Sequence, residues 1–284
     1  MTASGDAPSR SVLITGCSSG IGFDAARSLQ RRGWRVFATC RKRDDCARLE
    51  AEEGLESFVL DHADTLSVAA GVAEALERSG GRLDALIANG AHALPCAIED
   101  LPREALREIF EVNLFGPFDL IRAVLPAMRA QGSGRIVNVS SVLGIVSTRF
   151  RGPYSGTKFA MEGMTDALRR ELSGTGIHVS LLQPGPISTR IRHNAVGHFE
   201  RWIDWRGSAQ RAVYEAELLP RLYAERDKVA PFELAPSACT RVLIHALEAP
   251  RPRARYRVTW PTHFAELLRR LAPTRLADRL VADA

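Results

Sequence analysis

Ser11-Val-Leu-Ile-Thr15 runs directly into Gly16-Cys-Ser-Ser-Gly20-Ile-Gly22, and a helical pattern follows through about Arg32. The first five residues predict a short buried strand. The three glycines permit a tight turn, let backbone amides approach a diphosphate and let the helix start close to the strand, where its N-terminal dipole favours anions. A turn of this kind can also be a purely structural strand-to-helix connection, so the interpretation needs support from other parts of the chain.

Six further strand-like runs follow the first one and alternate with longer helical patterns. This alternation predicts a parallel sheet that is covered by helices on both faces. The predicted fold class is therefore α/β: a single-domain, doubly wound Rossmann-type fold with a mostly parallel, seven-stranded sheet. The predicted strands lie near 11–16, 34–40, 56–60, 83–88, 134–140, 177–183 and 255–259.

The chain has 284 residues, enough to bury a large core as one α/β unit, and no repeat or Pro/Ser-rich linker divides it. We expect one domain over 11–284, preceded by a flexible polar tail over 1–10. The tail lacks the apolar stretch of a secretory signal, and no later run is long and apolar enough to span a bilayer. These features predict a cytoplasmic protein without an integral membrane segment.

Tyr154 and Lys158 are four residues apart, and Ser141 stands thirteen residues upstream of Tyr154. In a helix, this i,i+4 spacing puts the phenol and the ammonium on one face, where the positive charge would lower the pKa of Tyr154 from about 10 toward working pH. A phenol tuned in this way can give a proton to a carbonyl oxygen or take one from an alcohol, while the Ser141 hydroxyl holds that oxygen. The reaction then needs a hydride source, which a nucleotide at the glycine-rich loop would supply.

The end of the second predicted strand indicates which nicotinamide cofactor binds. An NAD-binding protein normally places a carboxylate there for the ribose hydroxyls, and that carboxylate would repel a 2′-phosphate. This chain has Cys40 at the position, followed by Arg41 and Lys42. Arg41 can form a forked contact with a phosphate, Lys42 adds positive charge and Ser18 offers a hydroxyl donor. The pattern predicts NADP(H); the alternative is that both cations are only solvated loop charges.

These separate motifs occur in the order found in the short-chain dehydrogenase/reductase family, which the chain resembles through most of its length. The family's Thr-Gly-x-x-x-Gly-x-Gly loop matches 15–22, and its catalytic Ser, Tyr and Lys match Ser141, Tyr154 and Lys158. The resemblance implies that Asn113 is a fourth catalytic residue, linked through water to the lysine. With the cations just described, it gives a cofactor-binding set: Gly16, Ser18, Ser19, Gly20, Ile21, Gly22, Arg41, Lys42, Asp61, Asn89, Gly90, Tyr154, Lys158, Pro184, Gly185, Ile187 and Thr189.

One motif departs from the family pattern. The family usually has Asn-Asn-Ala-Gly after the fourth strand, where this chain has Ala88-Asn89-Gly90-Ala91. We expect Asn89 to keep an amide that ties neighbouring strands, and the small residues to leave room for the adenine ribose. His92 follows directly and is interpreted as a loop histidine at the cofactor rim rather than an extra acid or base, because no partner stands at a recognisable spacing.

The remaining composition argues against several other classes of function. The five cysteines show neither C-x-x-C spacing nor a disulfide framework, so we expect reduced thiols. No group of His, Cys and carboxylate residues has metal-ligand spacing, and no metal is predicted. The formal net charge of +5 is scattered and comes almost entirely from arginine, so no nucleic-acid partner is predicted.

Two segments are expected to decide the substrate. Residues 190–235 are predicted to form a lid, in which Phe199, Trp202 and Trp205 either line an apolar inner face or only attach the lid to its own domain. Residues 261–284 are predicted to form a C-terminal helical extension whose apolar stripe packs over the pocket mouth or against a second subunit. Its arginines leave an interfacial helix at a membrane surface as the alternative.

The C-terminal pattern narrows the resemblance to the subgroup of bacterial NADP-dependent aldehyde reductases and the retinol and 17β-hydroxysteroid dehydrogenases. It implies an enzyme that moves hydride between NADP(H) and the carbonyl or alcohol of a hydrophobic substrate, such as an aldehyde, ketone, retinoid or steroid. It also implies a homodimer or homotetramer. The alternatives are a tailoring enzyme of a polyketide-like biosynthetic pathway with the same site, and a non-catalytic NADP-sensing binding protein.

Overall fold

A single sheet organises the structure, a computed structural model that describes residues 10–224 and 231–281. Its strands are β1 Ser11–Thr15, β2 Arg35–Cys40, β3 Glu56–Val59, β4 Ala85–Ala88, β5 Gly134–Val139, β6 Ile177–Gln183 and β7 Arg255–Arg257. The strands pair in the order β3-β2-β1-β4-β5-β6-β7, and every pair is parallel. The predicted seven-stranded parallel sheet is confirmed.

Helices connect the strands and cover the sheet. They are α1 Gly20–Arg31, α2 Arg43–Glu53, α3 Thr65–Arg78, α4 Arg103–Phe110, α5 Gly116–Gln131, α6 Gly152–Glu171, α7 Ile191–Trp202, α8 Arg211–Val213, α9 Leu219–Leu222, α10 Ser237–Glu248, α11 Trp260–Leu271 and α12 Thr274–Val281. Two π-helical turns also occur, Glu111–Phe115 between α4 and α5 and Tyr214–Leu218 between α8 and α9, as do two 3₁₀ turns, Ile98–Asp100 and Val142–Gly144.

The inner strands are largely buried on both faces, so the sheet has a core on each side, whereas the edge strands β3 and β7 carry partly exposed charged residues. Alternate residues of β1 show this: Val12 and Ile14 pack into one cluster with helices α1 and α10, whereas Leu13 packs into another with α3 and α5. Successive side chains of a strand point to opposite faces, and strands buried on both faces need an unbroken apolar run. The short run at the start of the chain therefore contributes to both cores.

Several helix ends follow from local sequence. The Asp64 carboxylate accepts hydrogen bonds from the backbone N–H groups of Leu66 and Ser67 and caps the start of α3. Helix α6 starts at Gly152 with a proline in its first turn, where the missing N–H removes no helical bond. This start places Tyr154 and Lys158 in the first two turns of one helix, at the carboxyl edge of the sheet.

The order of the strands reverses between β1 and β4, because β2 and β3 continue on one side and β5 to β7 on the other. In open parallel sheets, ligands bind in the crevice at the carboxyl ends of the strands where the order reverses. The glycine-rich loop follows β1 and the Asn89 loop follows β4, so both loops border this crevice.

The predicted lid over 190–235 and the predicted C-terminal extension over 261–284 both contain helices. Residues 191–202 of the predicted lid form helix α7, and α8 and α9 follow it; residues 225–230 lie outside the described part. Helices α11 and α12 form the C-terminal extension up to residue 281, and residues 282–284 and the predicted tail over 1–9 are likewise outside it. In the part of the chain that the structure describes, no helix has the length and apolar character to cross a membrane.

Candidate active site

The glycine-rich loop is shaped by close backbone contacts that exclude larger residues. Gly16 has a φ of +70°, and a Cβ added there would lie 2.8 Å from the Cα atom of Gly90. A Cβ at Gly22 would lie 2.5 Å from the carbonyl oxygen of Gly16. The first glycine is therefore required for the turn and the last for the approach of α1 to β1, as the sequence pattern predicts.

The start of α1 is suited to bind an anion. Its first turn contains no acidic residue, and no side-chain hydrogen bond caps it at Ser19. Backbone N–H groups at such a helix end are free to bind phosphate oxygens, and the helix dipole favours the negative charge. A cavity of about 350 Å³ adjoins this end of the helix, lined by Gly20, Phe23, Asp24, Ser188, Thr189, Arg190, His193 and Pro236. The residues fit a dinucleotide diphosphate.

The departing motif after β4 keeps its structural role. The side-chain amide of Asn89 donates hydrogen bonds to the carbonyl oxygens of Thr15 at 2.9 Å and of Gly16 at 3.1 Å. The Thr15 hydroxyl in turn accepts hydrogen bonds from the backbone N–H groups of Asn89 and Gly90. The prediction that Asn89 ties neighbouring strands is confirmed.

Two other segments border the same crevice. After β6, residues 184–189 run toward the glycine-rich loop, and a Cβ at Gly20 would lie 3.1 Å from the Thr189 side chain. After β3, the Asp61 carboxylate accepts a hydrogen bond from the backbone N–H of Ala63 at 3.0 Å. Pro184, Gly185, Ile187 and Asp61 follow the carboxyl ends of their strands, and their roles toward a cofactor stay predictions.

A third cation, Arg48, lies near the two that follow β2 and was not among the predicted cofactor-binding residues. Cys40 is buried, whereas Arg41 and Lys42 are exposed. Arg48, on α2, donates a hydrogen bond to the carbonyl oxygen of Ser18 in the glycine-rich loop at 2.8 Å. Arg48 therefore stands beside the predicted phosphate position. Arg48 is partly exposed and also forms ion pairs with Asp45 at 3.8 Å and with Glu52 at 3.9 Å. No motif in the sequence indicated its contact with Ser18.

Tyr154 lies in the first turn of α6 and is 9% exposed. Burial raises the pKa of Tyr154 to about 12, although the Ser141 side chain and the positive charge of Arg151 act to lower it. The expected lowering of this pKa toward neutral pH is therefore wrong for the protein alone, because desolvation of the phenolate outweighs the nearby charges. The phenol keeps its proton at neutral pH.

Lys158 is 2% exposed, and its Nζ atom donates a hydrogen bond to the carbonyl oxygen of Val139 at 2.8 Å. Burial lowers the pKa of Lys158 to about 8, while Glu162 acts to raise it. The Nζ atom lies 5.6 Å from the centre of the Tyr154 ring. An ammonium has three donors, so two remain for other acceptors such as ribose hydroxyls.

Asn113 occupies the π-helical turn between α4 and α5 and is fully buried. Its side-chain oxygen accepts a hydrogen bond from the His92 backbone N–H at 3.0 Å, and its amide nitrogen donates to the His92 carbonyl at 2.9 Å. The amide also contacts the hydroxyl of Thr157 on α6 at 3.3 Å. Asn113 thus joins the loop after β4 to α6. Its catalytic role remains a prediction.

His92 has partners that no spacing in the sequence indicates. Its ring stacks on that of His198 of α7, with ring centres 3.9 Å apart, and His198 lies 3.1 Å from the carboxylate of Glu108. Burial, with the positive charges of His198, Arg41 and Lys158, lowers the pKa of His92 to about 3. His92, Glu108 and His198 thus hold helix α7 of the lid against α4 and against the loop after β4.

These three residues are also a group whose donor atoms lie within 4.8 Å of one another, close enough to ligate a metal ion. The sequence analysis found no such group, because its members are distant along the chain. Arg201 forms an ion pair with the same Glu108 carboxylate at 2.9 Å, and the charge of Arg41 reaches both histidines. These positive charges disfavour a cation at this position.

The lid covers Tyr154 with apolar side chains. Phe199 is fully buried in a cluster that also contains Tyr154, Tyr214 and Leu222, and Trp202 and Trp205 pack against this cluster from its edge. The Tyr214 hydroxyl accepts a hydrogen bond from the Ala97 backbone N–H at 2.8 Å, which attaches the lid to the loop after β4. The aromatic side chains therefore both attach the lid and pack in or against the cluster that contains Tyr154.

The cysteines take no part in this site chemistry. All five are free and buried. Cys17 lies in the glycine-rich loop, and burial raises the pKa of its thiol well above the usual value, which keeps it protonated. Cys17 packs in the core cluster between the sheet and α1.

A family model described as short chain dehydrogenase matches residues 10–198, which include the glycine-rich loop and the Ser141, Tyr154 and Lys158 motif. The chain belongs to the short-chain dehydrogenase/reductase family. It is 36% identical to the uncharacterised oxidoreductase YbbO of Escherichia coli strain K12, over 96% of this chain and 94% of the relative. This membership makes it an oxidoreductase family member that acts on alcohol or carbonyl groups.

Characterised relatives match over nearly the same length. Retinol dehydrogenase 7 of Mus musculus is 34% identical, over 95% of this chain and 87% of the relative. Human 17-beta-hydroxysteroid dehydrogenase type 1 is 34% identical, over 91% of this chain and 79% of the relative. The predicted resemblance to the retinol and 17β-hydroxysteroid dehydrogenases is confirmed.

Solved structures agree with the fold. A short-chain dehydrogenase from Streptomyces avermitilis superposes with a TM-score of 0.78 at 27% identity, over 97% of this chain and 96% of that one. An actinorhodin polyketide ketoreductase with NADPH superposes with a TM-score of 0.70 at 29% identity, over 88% of this chain and 95% of that one.

Proposed function

We propose that this protein is an NADP(H)-dependent oxidoreductase that reduces the carbonyl group of a hydrophobic aldehyde, ketone, retinoid or steroid-like compound, or oxidises the corresponding alcohol. The observation that supports the proposal most is the burial of Tyr154 beside Ser141 and within reach of Lys158, under the apolar lid. A phenol and a hydroxyl at one point can bind and protonate a single oxygen atom.

The roles of the side chains follow from their protonation. Tyr154 keeps its proton at neutral pH, because its pKa is about 12, and so it serves as the acid that protonates the substrate oxygen. Ser141 holds that oxygen, and Lys158, with a pKa of about 8, remains mostly an ammonium that attracts the electrons of the phenol. When bound in the crevice, a reduced nicotinamide would supply a hydride for the carbonyl carbon. Tyr154 supplies the proton that the substrate oxygen needs to become a hydroxyl.

The proposed preference for NADP(H) rests on the charges after β2. Arg41 is exposed and takes part in no ion pair within residues 10–224 and 231–281, and Arg48 lies against the Ser18 carbonyl. No carboxylate stands at the end of β2, where Cys40 is buried. The Arg41 guanidinium, without an ion pair in the described part of the chain, matches a 2′-phosphate, and Arg48, which also pairs with Asp45 and Glu52, adds positive charge beside it.

The proposed substrate class rests on the lid. Trp202 and Trp205 are only partly buried at the edge of the Tyr154 cluster and offer aromatic surface there, packed against the buried side chains of Phe199, Tyr214 and Leu222. Removal of apolar substrate surface from water against this cluster would supply binding energy at about 25 cal/mol per Å². Retinoids and steroids are substrates of this apolar type, and the two named mammalian relatives are a retinol and a hydroxysteroid dehydrogenase.

The proposal is tested by following the absorbance of NADPH with purified protein and a panel of apolar aldehydes, ketones, retinal and steroids. We expect oxidation of NADPH with at least one apolar carbonyl compound, and a lower KM for NADPH than for NADH. Tyr154→Phe serves as the matched catalytic control in each assay. Binding of NADPH without turnover of any member of the panel would favour a cofactor-sensing protein instead.

A tailoring enzyme of a polyketide-like pathway is a second candidate. The likeness to the actinorhodin polyketide ketoreductase with NADPH supports this candidate, because the superposition covers 95% of the ketoreductase chain. The same residues would act in the same roles. Turnover of a β-ketothioester, with none of the apolar aldehydes or steroids reduced, would select this function over the first.

A further inference from the structure

Arg151 is a cation without a counter-charge beside the catalytic tyrosine. It immediately precedes α6 and stands three residues before Tyr154. Its side chain is half-buried, and within residues 10–224 and 231–281 it takes part in no ion pair. A guanidinium that loses water without gaining a carboxylate destabilises the folded protein, so its position calls for a partner that binds there.

Arg149 lies two residues earlier in the same loop and, unlike Arg151, has a carboxylate partner among the described residues. Its guanidinium donates to both oxygens of the Glu217 carboxylate, at 2.9 and 2.8 Å. Between the two arginines, Phe150 has a φ of +61°, which is unusual for a large residue, and its ring packs 5.5 Å from that of Tyr214. The loop is therefore held on the lid by Arg149 and Phe150, which leaves Arg151 next to Tyr154.

Two arginines of the lid add to this positive charge. Arg192 lies on α7 and Arg221 on α9, and both are exposed with no ion pair within the described ranges. Burial and then the charges of Arg192 and Arg221 lower the pKa of Arg151, while Tyr154 acts to raise it. The same two helices carry Phe199 and Leu222, which pack in one cluster with Tyr154, so Arg192 and Arg221 lie on the lid elements that pack against the Tyr154 side chain.

We propose that Arg151, assisted by Arg192 and Arg221, forms a subsite for a carboxylate carried by the substrate. The inference rests on the proposed oxidoreductase function and narrows its substrate class. The planar guanidinium of Arg151 has the geometry to bind a carboxylate with two parallel hydrogen bonds. The preferred substrate then has an apolar body, a carbonyl or alcohol group that reaches Tyr154, and an acidic group at a fixed separation from it.

The test compares aldehydes that differ only at the far end. A series with four to ten carbons is prepared as free ω-carboxylates and as their methyl esters, and kcat/KM is measured with NADPH at low and at high salt. We expect one chain length at which the carboxylate exceeds its ester by roughly 10- to 100-fold, the range of a hydrogen bond to a charged group. This advantage of the carboxylate should shrink at high salt, because Arg192 and Arg221 are exposed and salt screens their charges.

Matched variants assign the effect. Arg151→Gln should reduce the carboxylate-to-ester ratio to near one, and Arg151→Lys should restore part of it. Arg149→Gln, which removes an arginine from the same loop that already has a partner, should leave the ratio unchanged. Equal ratios in the unmodified protein and in Arg151→Gln would overturn the proposal. A rise in the KM for NADPH in Arg151→Gln, with the ratio retained, would assign the arginine to the cofactor and overturn it too.

A binding measurement separates this inference from the oxidoreductase function. Calorimetric titration of the protein with decanoate and with decanol in the presence of NADP⁺ needs no turnover. Tighter binding of decanoate, lost in Arg151→Gln and kept in Arg149→Gln, would support the subsite even if no aldehyde were reduced. Equal binding of the acid and the alcohol would overturn the subsite, whatever the outcome of the turnover assays.

Discussion

The carboxyl edge of the sheet and the lid that covers it satisfy their polar groups in different ways. At the edge, Lys158 donates to the Val139 carbonyl, and Asn89 donates to the carbonyls of Thr15 and Gly16. Each of these side chains is held by the backbone of a strand or of the loop after it. On the lid, Arg192 and Arg221 have no ion pair within the described ranges, and helix α7 is attached through His198 and Glu108.

This difference suggests that the sheet edge carries the reacting groups and that the lid determines which substrates bind. Side chains that bond to strand backbones keep their positions when a ligand arrives, which suits groups that must meet a reacting atom. Side chains that meet only other side chains can move with their helices, and unpaired charges are available to a ligand. We therefore expect changes at the edge to alter turnover and cofactor choice, and changes on the lid to alter stability and substrate choice.

The largest effect should come from Tyr154→Phe at the edge. Loss of the proton donor should lower kcat by roughly 10²- to 10⁴-fold, the usual contribution of general acid catalysis, while cofactor binding changes little. Steady-state kinetics and a cofactor titration measure the two. Tyr223→Phe is the control, because Tyr223 is exposed on the lid side and donates to Glu200. An unchanged kcat in Tyr154→Phe would refute the assignment of the acid.

Cofactor choice tests the edge at the end of β2. Arg41→Ala should raise the ratio of the KM for NADPH to the KM for NADH by roughly 10- to 100-fold, because a contact to a charged group contributes about 1.5–3 kcal/mol. Arg43→Ala, two residues further along and also exposed, should leave the ratio of the two KM values near that of the unmodified protein. If Arg41→Ala weakens both cofactors equally, the 2′-phosphate lies elsewhere.

The histidine contact that joins the two regions should make the fold sensitive to acid. Burial lowers the pKa of His92 to about 3, so between pH 6.5 and 3 the unfolded chain binds a proton there that the folded protein does not. Stability is then lost as the pH falls below about 6.5, by ~2 kcal/mol between pH 7.5 and 5. Denaturant unfolding across this range measures it.

His92→Gln should remove much of that slope, while His263→Gln, at an exposed position on α11, should keep it. His62 adds to the loss, since burial lowers its pKa to about 4. A flat stability profile from pH 7.5 to 5 in the unmodified protein would mean that His92 is protonated in the folded state. The lid would then be attached in some other way.

The smallest effect should appear on the lid itself. Across straight-chain aldehydes, kcat/KM should rise with length by up to about fourfold per methylene, from ~0.8 kcal/mol each, and then level off. Trp202→Ala should flatten this rise more than it changes the rate with the shortest aldehyde, because only longer chains reach the edge of the cluster. A flat profile in the unmodified protein would show that Trp202 only attaches the lid.

Elements that depend on local interactions could be predicted from the sequence. The strand-loop-helix pattern at 11–32 and the approximate positions of the seven strands agree with the structure. Strands inside a parallel sheet are buried on both faces and therefore need apolar runs that the sequence shows. The prediction for the pKa of Tyr154 was wrong. Spacing shows the charge of Lys158 near the phenol, but it does not show how completely the lid removes water from Tyr154, and that desolvation dominates.

The amino-acid sequence by itself determined the fold class and the motif that carries the chemistry, since Tyr154 and Lys158 are brought together by one helix and the glycine loop by one turn. Only the tertiary structure joined His92 to His198 and Glu108, placed Arg48 on Ser18 and left Arg151, among the described residues, without an ion pair near Tyr154. These pairs lie up to about a hundred residues apart. Their contacts depend on how helices α2, α4, α7 and α9 pack on the sheet, which no local pattern specifies.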